Sequence, residues 1–247
     1  MDGPQRANSG HPGTAMALAP IGWALYGRKM HHDPTHPHWS NRDRFILSCG
    51  HACILQYSLL HLSGYAVSRE DLLNFRQWGS ATPGHPEVGH TPGVETTTGP
   101  LGQGFSTSVG MALAERFLAA HFNRDGFPVV DHFTYVIASD GDLMEGVACE
   151  ASSIAGHLQL SKLIVFWDDN KITIEGSTDL AFTEDVDAKY EAMGWHVQRL
   201  SDGQVNDLDA ICEAVEKAKN DPRPSLISCR THIPFQYSRP RVHDWTY

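Results

Sequence analysis

The chain has 247 residues, 41% of them hydrophobic and 19% charged, a globular composition that excludes disorder, collagen and coiled coil. Lys+Arg total 19 against 29 Asp+Glu, so the net charge is −10, which leaves no electrostatic footprint for nucleic acid or an anionic membrane. The 5 cysteines (49, 53, 149, 212 and 229) form no CxxC pair and no disulfide framework, and read as free thiols of a reducing compartment.

The longest apolar stretch, Ala15 to Tyr26, holds Pro20 and Gly22 and is too short to span a bilayer. The start, Met1-Asp2-Gly3-Pro4-Gln5-Arg6, lacks the basic-then-apolar layout of a secretory signal. A soluble cytoplasmic protein is expected. Apolar spacing predicts a helix over Thr14 to Lys29, interrupted near Pro20. A polar loop follows, then a short buried strand, Arg44 to Leu47. A helix over Ala52 to Leu62 stops at Gly64. Ser68-Arg69-Glu70-Asp71 is a capping-box start for a short helix through Phe75. Residues 76–100, rich in Gly and Pro, form a long loop of the functional kind. Beyond it come a helix within 101–122, a strand over 133–138, a helix over 146–157 and a strand over 162–167. A helix over 185–193, a strand over 195–200, a helix over 205–219 and a strand over 225–229 complete the pattern. Alternation at this spacing means βαβ units, hence an α/β fold with a mostly parallel sheet and helices on both faces. The last residues, 232–247, are aromatic, basic and Pro-containing, and read as a divergent tail on a domain covering 1–231.

In an open α/β sheet, ligands bind beyond the carboxyl ends of the strands. Two strands here run into oxygen ligands: Asp140 after 133–138 and Asn170 after 162–167. Such oxygens suit a hard divalent cation shared with a phosphate. Gly141 would let backbone approach that phosphate, and the helix near Glu145-Gly146 would aim its amides at it. The same residue types also make ordinary turns after strands, and on residue type alone both readings stand. Gly99-Pro100-Leu101-Gly102-Gln103-Gly104 opens a helix but matches neither the P-loop nor GxGxxG, so neither a nucleoside triphosphate nor a nicotinamide cofactor is indicated. His11, His51 and His85 each follow a glycine, in turns that leave the ring free to meet phosphate or hydroxyl oxygens. The run His31-His32-Asp33-Pro34-Thr35-His36-Pro37-His38 has the wrong spacing for zinc and reads as a solvated loop.

Taken together, Ala7-Asn8-Ser9-Gly10-His11-Pro12-Gly13, Thr82-Pro83-Gly84-His85-Pro86-Glu87, Glu95-Thr96-Thr97-Thr98-Gly99-Pro100-Leu101-Gly102-Gln103-Gly104, Ser139-Asp140-Gly141-Asp142-Leu143-Met144-Glu145-Gly146 and Asp168-Asp169-Asn170 closely resemble the N-terminal, diphosphate-binding domain of transketolase, in order and spacing. The resemblance implies thiamine diphosphate as cofactor, held through Mg²⁺ or Ca²⁺. It makes Asp140 and Asn170 side-chain ligands of the metal and Ile172 a carbonyl ligand. Gly141 and His51 would contact the diphosphate, and Gly99 and Leu101 would line the cofactor rings. His11 and His85 would bind sugar hydroxyls and assist proton transfer. Glu145 matches a buried glutamate that links two cofactor sites across a dimer. The implied reaction moves a two-carbon ketol unit from a ketose phosphate to an aldose phosphate. Transketolases are more than twice this length, and their second domain carries the glutamate that activates the aminopyrimidine. The chain is therefore expected to be a short or split form that takes its pyrimidine-binding half from a separate chain, to form a homodimer, or both. The alternatives are a compact homodimer active by itself and a non-catalytic domain that binds cofactor or partner only.

Overall fold

Five short apolar runs pair into one wholly parallel sheet in the computed structural model, which describes residues 1–174 and 176–233. They are β1 (Arg44–Leu47), β2 (Thr134–Ser139), β3 (Leu163–Asp169), β6 (His196–Leu200) and β7 (Ser225–Arg230), in spatial order β1-β2-β3-β7-β6. A two-residue hairpin, β4 (Ile172–Thr173) and β5 (Gly176–Ser177), projects just beyond the end of β3. β2 and β3 are nearly continuous apolar sequence because both of their faces are covered, whereas in the edge strand β6 only Leu200 is buried.

The helices follow the sequence with three local departures. The first stretch forms α1 (Asp2–Ala7), α2 (Pro12–Ala17) and α3 (Ala19–Ala24), and a π turn, Leu25–Lys29, closes it. The interruption expected near Pro20 falls at Leu18, because the proline ring and missing N–H do not allow the preceding turn to continue, while α1 was not read from the sequence. α4 (Cys53–Leu62) and α5 (Arg69–Leu73) follow, α5 with the full Ser68–Asp71 capping box. After α6 (Gln103–Phe122) comes α7 (Asp140–Met144), a short helix absent from the sequence reading. α8 (Gly146–His157), α9 (Val186–Ala192) and α10 (Leu208–Lys219) complete the set. α10 starts later than expected because Gln204–Asn206 forms a 3₁₀ turn and Asp207 caps the helix proper.

Alternate residues of each strand enter two cores, as period-2 geometry demands. Phe45, Tyr135, Ile137, Ile164, Phe166 and Ile227 pack against α3, α4 and α10. Ile46, Val136, Val165, Trp167 and Leu226 pack on the other face against α6, α8 and α9. Helices thus lie on both faces. Residues 74–102 contain no helix or strand but are tied down throughout. Glu95 pairs with Arg42 at 2.6 Å, Thr91 Oγ1 donates to the Ala81 carbonyl, and Tyr57 Oη donates to the carbonyls of Pro83 and His85. Among the described residues no helix is long and apolar enough to cross a membrane. The divergent tail, with His243 and Asp244, lies almost entirely outside the described residues.

Candidate functional site

Parallel pairing puts the carboxyl ends of β2 and β3 side by side, with Ser139 opposite Asp168. The next residues on each strand therefore meet. Asp140 is buried, and its Oδ1 accepts a hydrogen bond from Trp167 Nε1 at 3.0 Å. Its Oδ2 accepts from the backbone N–H of Lys171 at 3.1 Å, which sets the carboxylate against the Asn170–Ile172 turn. The Asn170 amide donates to Asp168 at 2.8 Å, and its Oδ1 accepts from the Ile172 N–H at 3.0 Å. Asp168 also accepts from the Thr231 hydroxyl at the end of β7. Burial, reinforced by the Asp169 charge, pushes the Asp140 carboxyl up to about 6. Burial also pushes Asp168 to about 6, against hydrogen bonds from Thr231 and Asn170. Two neighbouring carboxylates, Asp168 and Asp169, thus bear on Asp140 at the end of the sheet, and Asn170 holds the first of them.

The glycine loop lies over this cluster. A Cβ on Gly141 would come within 2.8 Å of Leu101 Cδ1, so the two residues are in direct contact. Gly102 has φ +76°, a conformation that glycine adopts without strain, and it starts α6. Asp142, buried completely, fixes the loop: its Oδ1 accepts from Ser48 Oγ at 2.6 Å and from the Gly102 N–H at 2.8 Å. Its Oδ2 accepts from the Ser139 N–H and hydroxyl. Ser48 in turn accepts from the Phe105 N–H in the first turn of α6.

The histidines lie beyond the other end of the glycine loop, in contact with it through Gly99. His11 and His51 lie ring to ring, with centroids 5.1 Å apart and planes at 69°. The turn carrying His51 packs on Gly99, and a Cβ built on Gly99 would stand 3.5 Å from the His85 ring, in ordinary contact. Burial lowers His51 to about 4, with help from His11, His85 and Arg76. Burial and then Arg76 lower both His11 and His85. All three are neutral imidazoles at physiological pH.

Nine of the ten residues singled out by sequence are joined by this chain of contacts: His11, His51, His85, Gly99, Leu101, Gly141, Asp140, Asn170 and Ile172. The tenth, Glu145, is exposed in the single chain at the junction of α7 and α8, and a Cβ on Gly102 would come within 2.8 Å of its Cβ. The helix N-terminus next to Asp140 is α7 and not α8, because Asp140 to Met144 coil immediately after β2. Sequence reading missed Asp142, Ser48, Trp167 and Arg76. Asp142 carried a signal, the second acid of an Asp-Gly-Asp turn; an isolated serine, tryptophan or arginine carries none. A separate groove of about 490 Å³, lined by Trp167, Asp169, Lys171, Arg199, Ser228 and Arg230 among others, opens beside the cluster and includes none of the three histidines.

Comparison with known proteins identifies the family and the fold. The family model described as transketolase, thiamine diphosphate binding domain, matches residues 1–243. The transketolase of Halalkalibacterium halodurans is 57% identical over 235 residues, 95% of this chain and 35% of its own length. The solved transketolase of Leishmania mexicana superposes with a TM-score of 0.94 at 52% identity, covering 96% of this chain and 35% of that one. The transketolase of Pichia stipitis, solved in complex with sedoheptulose 7-phosphate, gives 0.92 at 54% identity over 95% of this chain and 34% of that one. The chain thus spans about a third of the length of the curated relatives it matches.

Proposed function

The chain belongs to the transketolase family, through its thiamine diphosphate binding domain, and from that premise we propose that it is the metal- and diphosphate-holding half of a transketolase. The reaction is reversible transfer of a two-carbon ketol unit from a ketose phosphate to an aldose phosphate. The observation that carries this reading is the meeting of Asp140 with the Asn170–Ile172 turn beneath the glycine loop.

The residues present fit a cation joined to a diphosphate. Asp140 is buried with Asp168 and Asp169 at its side, an excess of acid that a divalent ion relieves. Oxygens of Asp140 and Asn170 and the carbonyl of Ile172 would hold Mg²⁺ or Ca²⁺. The Gly141 N–H and His51 would meet the diphosphate, and Gly99 and Leu101 would line the rings. Thiamine diphosphate, when bound, supplies the electron sink that no side chain here provides. His11 and His85, neutral and at the mouth of the cleft, bind sugar hydroxyls, accept a hydroxyl proton and return it. Glu145, exposed on one copy, faces a second copy in a homodimer. The proposed source of the pyrimidine-binding half, with its activating carboxylate, is a separate chain. A second reading is a domain that binds cofactor or partner without turnover.

Calorimetry of thiamine diphosphate into the chain with Mg²⁺ tests the site. Binding is expected, and Asp140→Ala is expected to weaken it at least tenfold; equal binding by the two chains would overturn the assignment. Ketol transfer by the chain mixed with a separately made pyrimidine-binding chain then distinguishes the two readings.

A further inference from the structure

Arg76 is the cation among the three histidines. It sits in the left-handed region at φ +60°, uncommon for a side chain of this size. Its backbone N–H donates to the Thr82 carbonyl, at the start of the Thr82-Pro83-Gly84-His85 turn. Its guanidinium donates from Nη1 to Ser9 Oγ at 2.8 Å, two residues before His11. Its Nε is buried and without a partner, directly over Gly84, where a Cβ would stand 3.4 Å away. The guanidinium carbon lies 5.6 Å from the centroid of the buried Phe75 ring, and the same ring packs on Gly10.

We propose that Arg76 is a positioning residue: it ties the turn carrying His11 to the turn carrying His85, so that three imidazoles and one permanent cation form a single wall of the cleft. This deepens the reading of His11 and His85 as proton-handling groups and rests on it only for what they act upon. The consequence concerns protons. After burial, Arg76 is the largest influence lowering His11 and His85, and it is the last and smallest of those acting on His51. The other titratable groups facing this cluster are Glu87, which opposes the effect at His85, and Cys53 and Tyr57, both held protonated by burial. A fixed cation beside neutral rings keeps them as acceptors, ready to take a proton from a sugar hydroxyl, and resists their charging together.

The test is an NMR pH titration of the histidine rings in the full chain without cofactor, so that its outcome is independent of whether thiamine diphosphate binds. In Arg76→Gln the His11 and His85 midpoints are expected to rise toward about 6.5, the free imidazole value, with His51 moving least. In Arg76→Lys, which keeps the charge, they are expected to stay low. Unchanged midpoints in the glutamine chain, or equal rises in both, would overturn the proposal. Should the glutamine chain fail to fold by circular dichroism, Ser9→Ala decides instead. Ser9 is exposed, and losing its hydroxyl is expected to shift the His11 ring signals while leaving those of His85 in place. An unmoved His11 in that chain counts against the tie.

Discussion

Two histidines are kept neutral by burial, His51 in the cleft and His132 at the entry to β2, both pushed down to about 4. Their folded pKa lies below the unfolded one, so the native state binds fewer protons between about pH 4 and 6.5. Stability from them is complete above that window and is lost as pH falls through it. Asp140 and Asp168, raised to about 6, act in the opposite sense over nearly the same range. The unmodified chain therefore shows only the difference, and a single variant is needed to expose one contribution. His132, 5% exposed with its Nδ1 unpartnered, lies outside the cleft and suits the purpose. Between pH 7 and pH 5 the parent is expected to lose on the order of 1–2 kcal/mol more than His132→Gln, read from urea unfolding at each pH. Parallel losses would refute the assignment. Legibility at this scale followed chemistry. Asp140 and Asn170 could be found because strand-end oxygens one βαβ unit apart have a stated use, whereas Arg76 depends on a backbone conformation that no residue type announces.

The elements divide in a similar way. β2, β3 and β7 were legible within two residues because strands covered on both faces must be apolar throughout. α8 and α5 were legible from their caps and composition. α7 was not, because five residues reading Asp-Gly-Asp-Leu-Met look like a turn, and only the acceptance of four hydrogen bonds by Asp142 makes that segment a fixed element. The β4–β5 hairpin was too short to leave a period. Asp142 joins the end of β1, the glycine loop, the first turn of α6 and the end of β2 through Ser48, Gly102 and Ser139. Asparagine has one accepting oxygen where aspartate has two, so Asp142→Asn strands at least one buried donor. A loss of about 2–3 kcal/mol in urea unfolding is expected. A variant within a few tenths of the parent would show that water or relaxation replaces these bonds.

At the scale of the whole molecule, α6 is the exposed feature to explain. It buries Phe105, Val109 and Ala112 but leaves Leu113 at 42%, Phe117 at 69% and Phe122 at 52% exposure, beside Gly110 with open space over it. Such apolar groups on one element are the mark of an association surface. A mass of two chains by light scattering at micromolar concentration is expected, falling to one in Phe117→Glu; a monomeric parent would contradict the homodimer. The fold class was legible from alternation of periods, but the spatial order β1-β2-β3-β7-β6 was not, since parallel neighbours leave no local signature. That order also sets a schedule for synthesis. β1 has only β2 for a neighbour, and the paired residues Arg44 and Thr134 are 90 positions apart (134 − 44). While the ribosome makes the intervening stretch, the Phe45-Ile46-Leu47 edge has nothing to zip onto, and the chain must leave the exit tunnel as far as Thr134 before the first rung of the ladder can close.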